Sequence, residues 1–248
     1  DRMPLVLVKG GATEGGASAA ASHTGALAAD DAVFDGMVRQ AGAVRAATVE
    51  SAYEIAATFA TQPLPAGPRT CVLTTAGGWG VVTADAIYSS SLELADLPED
   101  LVAAIDEHLP PRWSRGNPVD LAGGEKRDTI PDVMRLIAEH ESIDSIVYLG
   151  LGIQANQAGF MKSGSFYPDH GIERIVGFHE RQDARYAEAA AQISTETGKP
   201  ILTATELAMS NPDNPGPATV RATGRVCYTS ANRAVTALDA MWRYVQHR

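Results

Sequence analysis

The sequence "TCVLTTAGGWGVVTADAIY", residues 70–88, contains the clearest indication of architecture in the chain. It begins with a continuous apolar run, turns through Gly77, Gly78 and Gly80, and continues into a segment predicted to be helical from about Val81. A short run that is apolar throughout is typical of a parallel strand, because helices cover such sheets on both faces. The stretch therefore predicts a strand, a glycine turn and a helix of an α/β domain.

The same alternation continues to the end of the chain. "DSIVYLGLG" (144–152) follows a predicted helix near 128–140, and "KPILTATE" (199–206) follows a predicted helix near 172–197. "RVCYT" (225–229) precedes a predicted terminal helix from Ser230 to Tyr244. The pattern predicts a doubly wound parallel sheet of the flavodoxin-like kind over residues 69–248, in which ligands bind at the carboxyl ends of the strands.

The segment before this domain has a different pattern. Residues 5–8 are apolar, as in a buried strand, and "ATEGGASAAASHTGAL" (12–27) is predicted to form a loop or short helical turns. Asp30 and Asp31 supply the N-cap and first-turn carboxylates of a helix that ends at Gly42. A second helix is predicted over 48–61, and the proline-rich "QPLPAGPR" (62–69) follows it as a linker.

Composition and charge limit the classes of partner. The 248 residues include 30 acidic and 20 basic side chains, a net charge of -10, and no stretch is rich in lysine or arginine. This balance argues against nucleic acid or an anionic membrane surface as a partner. Cys71 and Cys227 lie in apolar runs, and no signal peptide or run of membrane-spanning length is present, so we expect a cytoplasmic protein with reduced thiols.

His23 is the candidate nucleophile. Small neighbours on both sides leave its imidazole open to close approach, and glycines and a helix start nearby would stabilise a charged adduct on it. The other five histidines are expected to be surface or hydrogen-bonded core residues. Since none has metal-ligand spacing to another histidine or a cysteine, no metal site is expected.

Two glycine-bearing loops are candidates for the rest of a site. The first, Gly77, Gly78, Trp79 and Gly80, precedes a helix, whose unpaired amides would bind a phosphate. A turn required only for packing is an equally good interpretation, because neither common phosphate-loop motif is present. The second loop is "RGNPVDLAGG", residues 115–124. Its candidate residues are Asn117, Asp120, Gly123 and Gly124.

The sequence resembles a known family at these motifs. Residues 5–46, with "SHTGAL" at 22–27, closely resemble the phosphohistidine segment of the NDP-forming acyl-CoA synthetases, which are related to succinyl-CoA synthetase. The resemblance continues through "VLTTAGGWGVVTADA", "RGNPVDLAGG" and the C-terminal "RVCYTSANRAVTALDAMWRY". It implies that His23 is phosphorylated, that the loop at 77–80 cradles the phosphate, and that Ser22, Thr24 and Gly25 belong to the active-site loop.

The resemblance also implies a domain organisation. Residues 1–47 would be the C-terminal part of a succinyl-CoA synthetase-like domain, 48–68 a helix and linker, and 69–248 a flavodoxin-like CoA-ligase domain. ATP or ADP with Mg²⁺, and CoA, would bind mainly to CoA-binding and ATP-grasp domains or subunits that are absent from these residues. We therefore expect a piece that associates with other domains or copies and does not turn over alone.

The chain departs from the family in two places. The family usually has proline where Trp79 stands, and residues 151–175 are longer and more polar than expected, with no role assigned. Two other functions remain open. One is a non-catalytic, ligand-sensing module of a GCN5-type acetyltransferase, against which the presence of His23 argues. The other is a flavin-binding domain, against which the lack of a Ser/Thr-rich phosphate cradle argues.

Overall fold

The computed structural model describes residues 3–24, 30–121 and 128–247. Its first part contains two short strands and three helices. They are β1 (Val6–Leu7), α1 (Glu14–Thr24), α2 (Asp31–Gln40), β2 (Val44–Arg45) and α3 (Val49–Thr61). Since β1 and β2 pair in parallel, this part is a small α/β unit.

The second part alternates strands and helices from residue 69 to the C-terminus. Its first elements are β3 (Arg69–Thr74), α4 (Gly77–Tyr88), β4 (Glu93–Leu94), α5 (Glu99–Asp106), β5 (Val119–Asp120), α6 (Thr129–Glu139) and β6 (Ser145–Leu149). The remaining elements are α7 (Ile153–Lys162), α8 (Ile172–Thr197), β7 (Ile201–Ala204), α9 (Leu207–Ser210), α10 (Pro215–Ala222), β8 (Cys227–Tyr228) and α11 (Ala231–Gln246).

The strands of the second part form one parallel sheet in the order β4-β3-β6-β7-β8. This is the flavodoxin-like order 2-1-3-4-5, so the predicted α/β class and doubly wound sheet are confirmed. β5 also pairs with β3, at Leu73 and Thr74, whereas β4 pairs with β3 at Arg69 and Thr70. Since β6 occupies the other edge of β3, β4 and β5 share one edge in succession.

The sheet separates two apolar cores. Alternate residues of β3 point to opposite faces: Cys71 and Leu73 join a core with α5, α6 and α8, and Val72 joins one with α3, α4 and α11. The central strand β6 has the same alternation and is buried at every position. Burial on both faces explains why these strands are apolar throughout.

α3 attaches the first part of the chain to the sheet. Ile55 lies in the core beside α11, and Phe59 packs edge-on against Tyr244 with ring centroids 5.3 Å apart. Tyr53, on the same helix, is 74% exposed. Gln62, in the predicted linker, donates to the carbonyl of Ile201 at 2.9 Å, so this segment is fastened to β7.

The predicted helix ends of α2, α3 and α11 are confirmed by their caps. Asp30 Oδ1 accepts hydrogen bonds from the amides of Ala32 and Val33, at 2.9 and 3.1 Å. Thr48 and Ser51 form a reciprocal capping box at the start of α3, and Ser230 caps α11. No helix in the described ranges is long and apolar enough to cross a membrane.

Candidate functional site

The start of α4 lies at the carboxyl end of β3, beside the point where the strand order reverses. The helix begins at Gly77 rather than near Val81, so Gly77, Gly78, Trp79 and Gly80 form its first turn and not a loop before it. The first amides of a helix have no acceptor within it, and the N-cap residue of this helix, Ala76, makes no side-chain cap hydrogen bond. The first turn is therefore suited to binding an anion.

The three glycines of this turn have different surroundings. A Cβ on Gly80 would lie 3.0 Å from Pro118 Cβ, so this glycine allows α4 to pack closely on the loop before β5. A Cβ on Gly77 would lie 2.4 Å from Asp120 Oδ2. Gly78 has nothing within 4 Å of that position and faces open space. The accessible surface of the turn is thus centred on Gly78, beside Trp79.

Asn117 joins two neighbouring strands of the sheet. Its Oδ1 accepts from the amide of Val72, and its Nδ2 donates to the carbonyls of Thr70 and Ala95, all at 2.9 Å. These bonds bridge the gap along β3 between β4 and β5. The structure therefore gives Asn117 a structural role, although the sequence placed it among the candidate site residues.

His23 lies in the last turn of α1 and is exposed. The segment expected to be a loop or short turns is an 11-residue helix, because alanine is the best helix former and α1 is rich in it. Ser22 precedes His23 and donates to the carbonyl of Ala19 at 2.8 Å. Thr24 ends the helix, and Gly25 lies outside the described residues.

The surroundings of His23 differ from the expectation in one respect. It was placed beside a helix start, but it lies at a helix C-terminus, whose dipole disfavours a negative adduct. In the described part of the chain no close packing joins α1 to α4, so the structure does not bring His23 and Gly78 together. Gly123 and Gly124 also lie outside the described residues.

Two cations near the first part of the chain are already paired. Lys9, after β1, lies 3.1 Å from Asp31 Oδ1, and Arg45 Nη2 lies 2.7 Å from the same oxygen. The hydrogen bonds from Arg45 and then Lys9 lower the pKa of Asp31. These contacts fix α2 against β1 and β2, so the two cations serve the fold.

A cavity of about 210 Å³ opens at the carboxyl ends of β6 and β7. Its lining includes Trp79 from α4, Leu149 from β6, Ile153 from α7 and Leu207 from α9. Sequence reasoning missed it, although the apolar runs before Gly150 and Thr205 marked the ends of these two strands.

α7 forms one wall of this cavity, and a buried carboxylate fixes the start of this helix. Asp183 of α8 accepts hydrogen bonds from the amides of Gly152 at 2.8 Å and Ala155 at 2.7 Å. Burial raises the pKa of Asp183 to about 6, although the bonds from backbone amides act in the opposite direction. Asn214 Nδ2 donates to the carbonyl of Gly152 at 3.0 Å. These bonds fix the start of α7.

The described residues contain no candidate metal site. In residues 3–24, 30–121 and 128–247, no three His, Cys, Asp or Glu side chains group closely enough to hold a metal ion. What the described site offers is a helix start for an anion, an exposed histidine on another element, and an apolar cavity beside the helix start.

Comparison with known proteins defines the class. Residues 1–59 match the family model of the succinyl-CoA ligase-like flavodoxin domain, and residues 70–154 match that of the ligase-CoA domain. The fold and this pair of matches define an α/β protein of the succinyl-CoA ligase type. The two matches support a fragment of an NDP-forming acyl-CoA synthetase.

Individual relatives agree with this assignment. The chain is 33% identical over 146 residues to the 4-hydroxybutyrate-CoA ligase (ADP-forming) of Nitrosopumilus maritimus, covering 59% of this chain and 21% of the relative. It is 35% identical over 146 residues to the alpha subunit of acetate-CoA ligase (ADP-forming) II of Pyrococcus furiosus, covering 59% and 32%. The chain thus spans a third or less of the length of these curated relatives.

A solved structure matches over nearly the whole chain. It is the dinucleotide-forming acetyl-coenzyme A synthetase 1 of Ca. Korarchaeum cryptofilum, determined in complex with phosphate and ADP. The TM-score is 0.76 at 25% identity, and the match covers 99% of this chain and 48% of that one. The similarity includes α7 and α8, which lie almost entirely beyond the ligase-CoA match.

Proposed function

We propose that this chain is the phosphohistidine-bearing part of an ADP-forming acyl-CoA ligase, with His23 as the residue that carries the phosphoryl group. The observation that carries the proposal is the pairing of two family matches, one containing His23 and the other containing the glycine-rich first turn of α4. The relatives named above are ligases, which favours this function over a regulatory module of an acetyltransferase.

The proposed reaction proceeds in three transfers. Phosphate attacks the acyl carbonyl of an acyl-CoA, forming an acyl phosphate and releasing CoA as its thiol. An imidazole nitrogen of His23 then attacks phosphorus, the carboxylic acid leaves, and phosphohistidine forms. The phosphoryl group finally passes to ADP, giving ATP and restoring the imidazole. Covalent catalysis of this kind divides one difficult exchange into steps that take place at different sites.

The start of α4 fits the phosphate in this scheme. Gly78 leaves room for a close approach, and the amides of the first helical turn together with the helix dipole stabilise negative charge without a lysine. This suits a chain with a net charge of -10. Ser22, Thr24 and Gly25 are proposed to shape the segment around His23, and Asp120, Gly123 and Gly124 to border the turn at 77–80.

His23 must approach the turn at 77–80 for transfer. Because His23 lies in an exposed last turn of α1 that is not packed on α4, we propose that the segment carrying it approaches that turn in the whole enzyme. CoA, and ATP or ADP with Mg²⁺, are proposed to bind to CoA-binding and ATP-grasp domains or subunits outside this chain.

The experiment is phosphorylation of the full-length protein that contains this chain by a radiolabelled acyl phosphate, acetyl or phenylacetyl, which needs neither CoA nor a nucleotide. Label that resists alkali and is lost in acid is expected in the wild type and absent from His23→Ala. Gly78→Ala is expected to reduce the rate of labelling, because its methyl group occupies the approach to the turn at 77–80. Val81→Ala, on an exposed position of the same helix, is the matched control. Equal labelling of His23→Ala and the wild type would refute the proposal.

A further inference from the structure

The cavity beside Trp79 is larger and more apolar than an acetyl group requires. Its volume of about 210 Å³ exceeds the roughly 150 Å³ of an engineered apolar cavity that binds benzene. Trp79, Leu149, Ile153 and Leu207 surround it with indole and aliphatic surface. Such a site gains free energy by removing apolar groups of a ligand from water.

We propose that this cavity binds the apolar part of the acyl group, and that the substrate is a carboxylic acid with a branched aliphatic or aromatic chain rather than acetate. The inference rests on the proposed function for the reaction itself. It adds the class of substrate, and it makes Trp79 a residue that determines specificity by forming one wall of the acyl site.

The position of Trp79 connects the cavity with the turn at 77–80. Trp79 follows the open Gly78 in the first turn of α4, and its side chain remains 45% exposed at the cavity wall. Trp79 is the residue of this turn that lines the cavity, so a ligand whose apolar group contacts the indole is proposed to place its carboxyl or acyl phosphate end toward the start of α4. The apolar end of the substrate then contacts apolar side chains, and its charged end lies toward backbone amides.

The charge around the cavity sets the same orientation. Glu206, on the β7 side, is exposed and lines the cavity, so its carboxylate repels the carboxylate of a substrate from that side. The N-terminus of α4 on the other side attracts negative charge. The substrate is therefore bound with its carboxylate toward Gly78 and its apolar group toward Ile153 and Leu207.

Buried hydrogen bonds fix the wall of the cavity that α7 forms. Asp183 and Asn214 fix Gly152, the residue before α7, through hydrogen bonds to its amide and carbonyl. Ile153 and Asn156 of α7 then line the cavity one turn apart on the same face of the helix. A preformed wall lowers the entropic cost of binding and gives selection by the size of the acyl group.

Binding of free acids to the whole chain tests the inference without catalysis. Phenylacetate and isovalerate are titrated into the isotopically labelled chain, with acetate as the small comparison, and the indole resonance of Trp79 is followed by NMR. We expect the two larger acids to shift this resonance with dissociation constants on the order of 1 mM, and acetate to bind at least about tenfold more weakly.

Two tryptophan substitutions on adjacent positions supply the matched test. Asn156→Trp places an indole in the cavity and is expected to weaken phenylacetate binding at least about tenfold. Gln157→Trp places the same group on an exposed position outside the lining and is expected to leave binding unchanged. Unchanged resonances elsewhere in the Asn156→Trp spectrum show that the variant is folded.

The outcomes separate this inference from the proposed function. If the larger acids do not shift the Trp79 indole, or if both tryptophan variants weaken binding equally, the cavity is not the acyl site, whether or not His23 is phosphorylated. If the acids bind as expected and His23 takes no phosphate, the ligase function is refuted and an apolar carboxylate site remains.

Discussion

The carboxylate of Asp120 lies against Gly77 so closely that a Cβ on this glycine would be 2.4 Å from Asp120 Oδ2. One residue further, a Cβ on Gly78 would meet nothing within 4 Å. Gly77 therefore makes room for a neighbour within the fold, and Gly78 leaves room for a molecule from outside. The two adjacent glycines can be distinguished by the same substitution.

Gly77→Ala and Gly78→Ala are expected to change stability in opposite directions. Alanine in a helix is favoured over glycine by about 0.5–1 kcal/mol, and Gly78→Ala gains this amount because its methyl group meets open space. Gly77→Ala loses about 1–3 kcal/mol, because Asp120 must move. Urea unfolding of the two variants measures both changes, and equal free energies of unfolding would contradict these different surroundings.

Asn117→Ala is expected to destabilise the sheet. The substitution leaves the amide of Val72 and the carbonyl of Ala95 without their Asn117 partner, whereas the carbonyl of Thr70 still accepts from the amide of Ala95 at 3.0 Å. At about 1–3 kcal/mol for each buried group left unpaired, the free energy of unfolding should fall by about 2 kcal/mol or more. Asn232→Ala, on an exposed position of α11, is the control and should change it by less than about 0.5 kcal/mol. A similar small change for Asn117→Ala would contradict its bridging role.

Asp183 is expected to make stability depend on pH between about 4 and 6. Burial raises its pKa in the folded state to about 6 from an ordinary value of 3.8, so the folded state binds its proton more tightly than the unfolded state does. The contribution of this residue to stability is therefore complete below about pH 4 and is lost as pH rises through about 6, by up to about 3 kcal/mol.

The measurement is the difference in free energy of unfolding between the wild type and Asp183→Asn across this range. As pH rises, the free energy of unfolding of the wild type should fall relative to that of Asp183→Asn, since asparagine does not titrate. The difference should become constant above about pH 7. A difference that does not change with pH for Asp183→Asn would contradict the raised pKa.

The fold could be predicted where the sequence combined periodicity with local end signals. Apolar runs marked β3, β6 and β7, and the capping residue Asp30 marked the start of α2. The predicted ranges 48–61 and 230–244 also began at the residues that cap α3 and α11. α1 was missed because its Ala, Ser and Gly residues show no apolar periodicity, so that only its alanine content favoured a helix. The start of α4 at Gly77 was missed because glycine indicates a turn more often than a first helical turn.

The candidate site could be predicted only in part. The turn at 77–80 and His23 have short sequence signatures, so both were found. The bridging by Asn117 depends on the order in which β4 and β5 occupy one edge of β3, which no local pattern specifies. The cavity depends on residues from α4, α7 and α9 that are distant in sequence and meet only through the sheet topology.

The most direct test of the proposed function is to locate the phosphate. The full-length protein that contains this chain is treated with acetyl or phenylacetyl phosphate, digested, and analysed by peptide mass spectrometry at neutral to alkaline pH, which preserves phosphohistidine. One added phosphoryl group is expected on the peptide that contains His23, lost on acid treatment and absent from His23→Ala but retained in His170→Ala. An unmodified His23 peptide, or a phosphate on another residue that persists in His23→Ala, would contradict it.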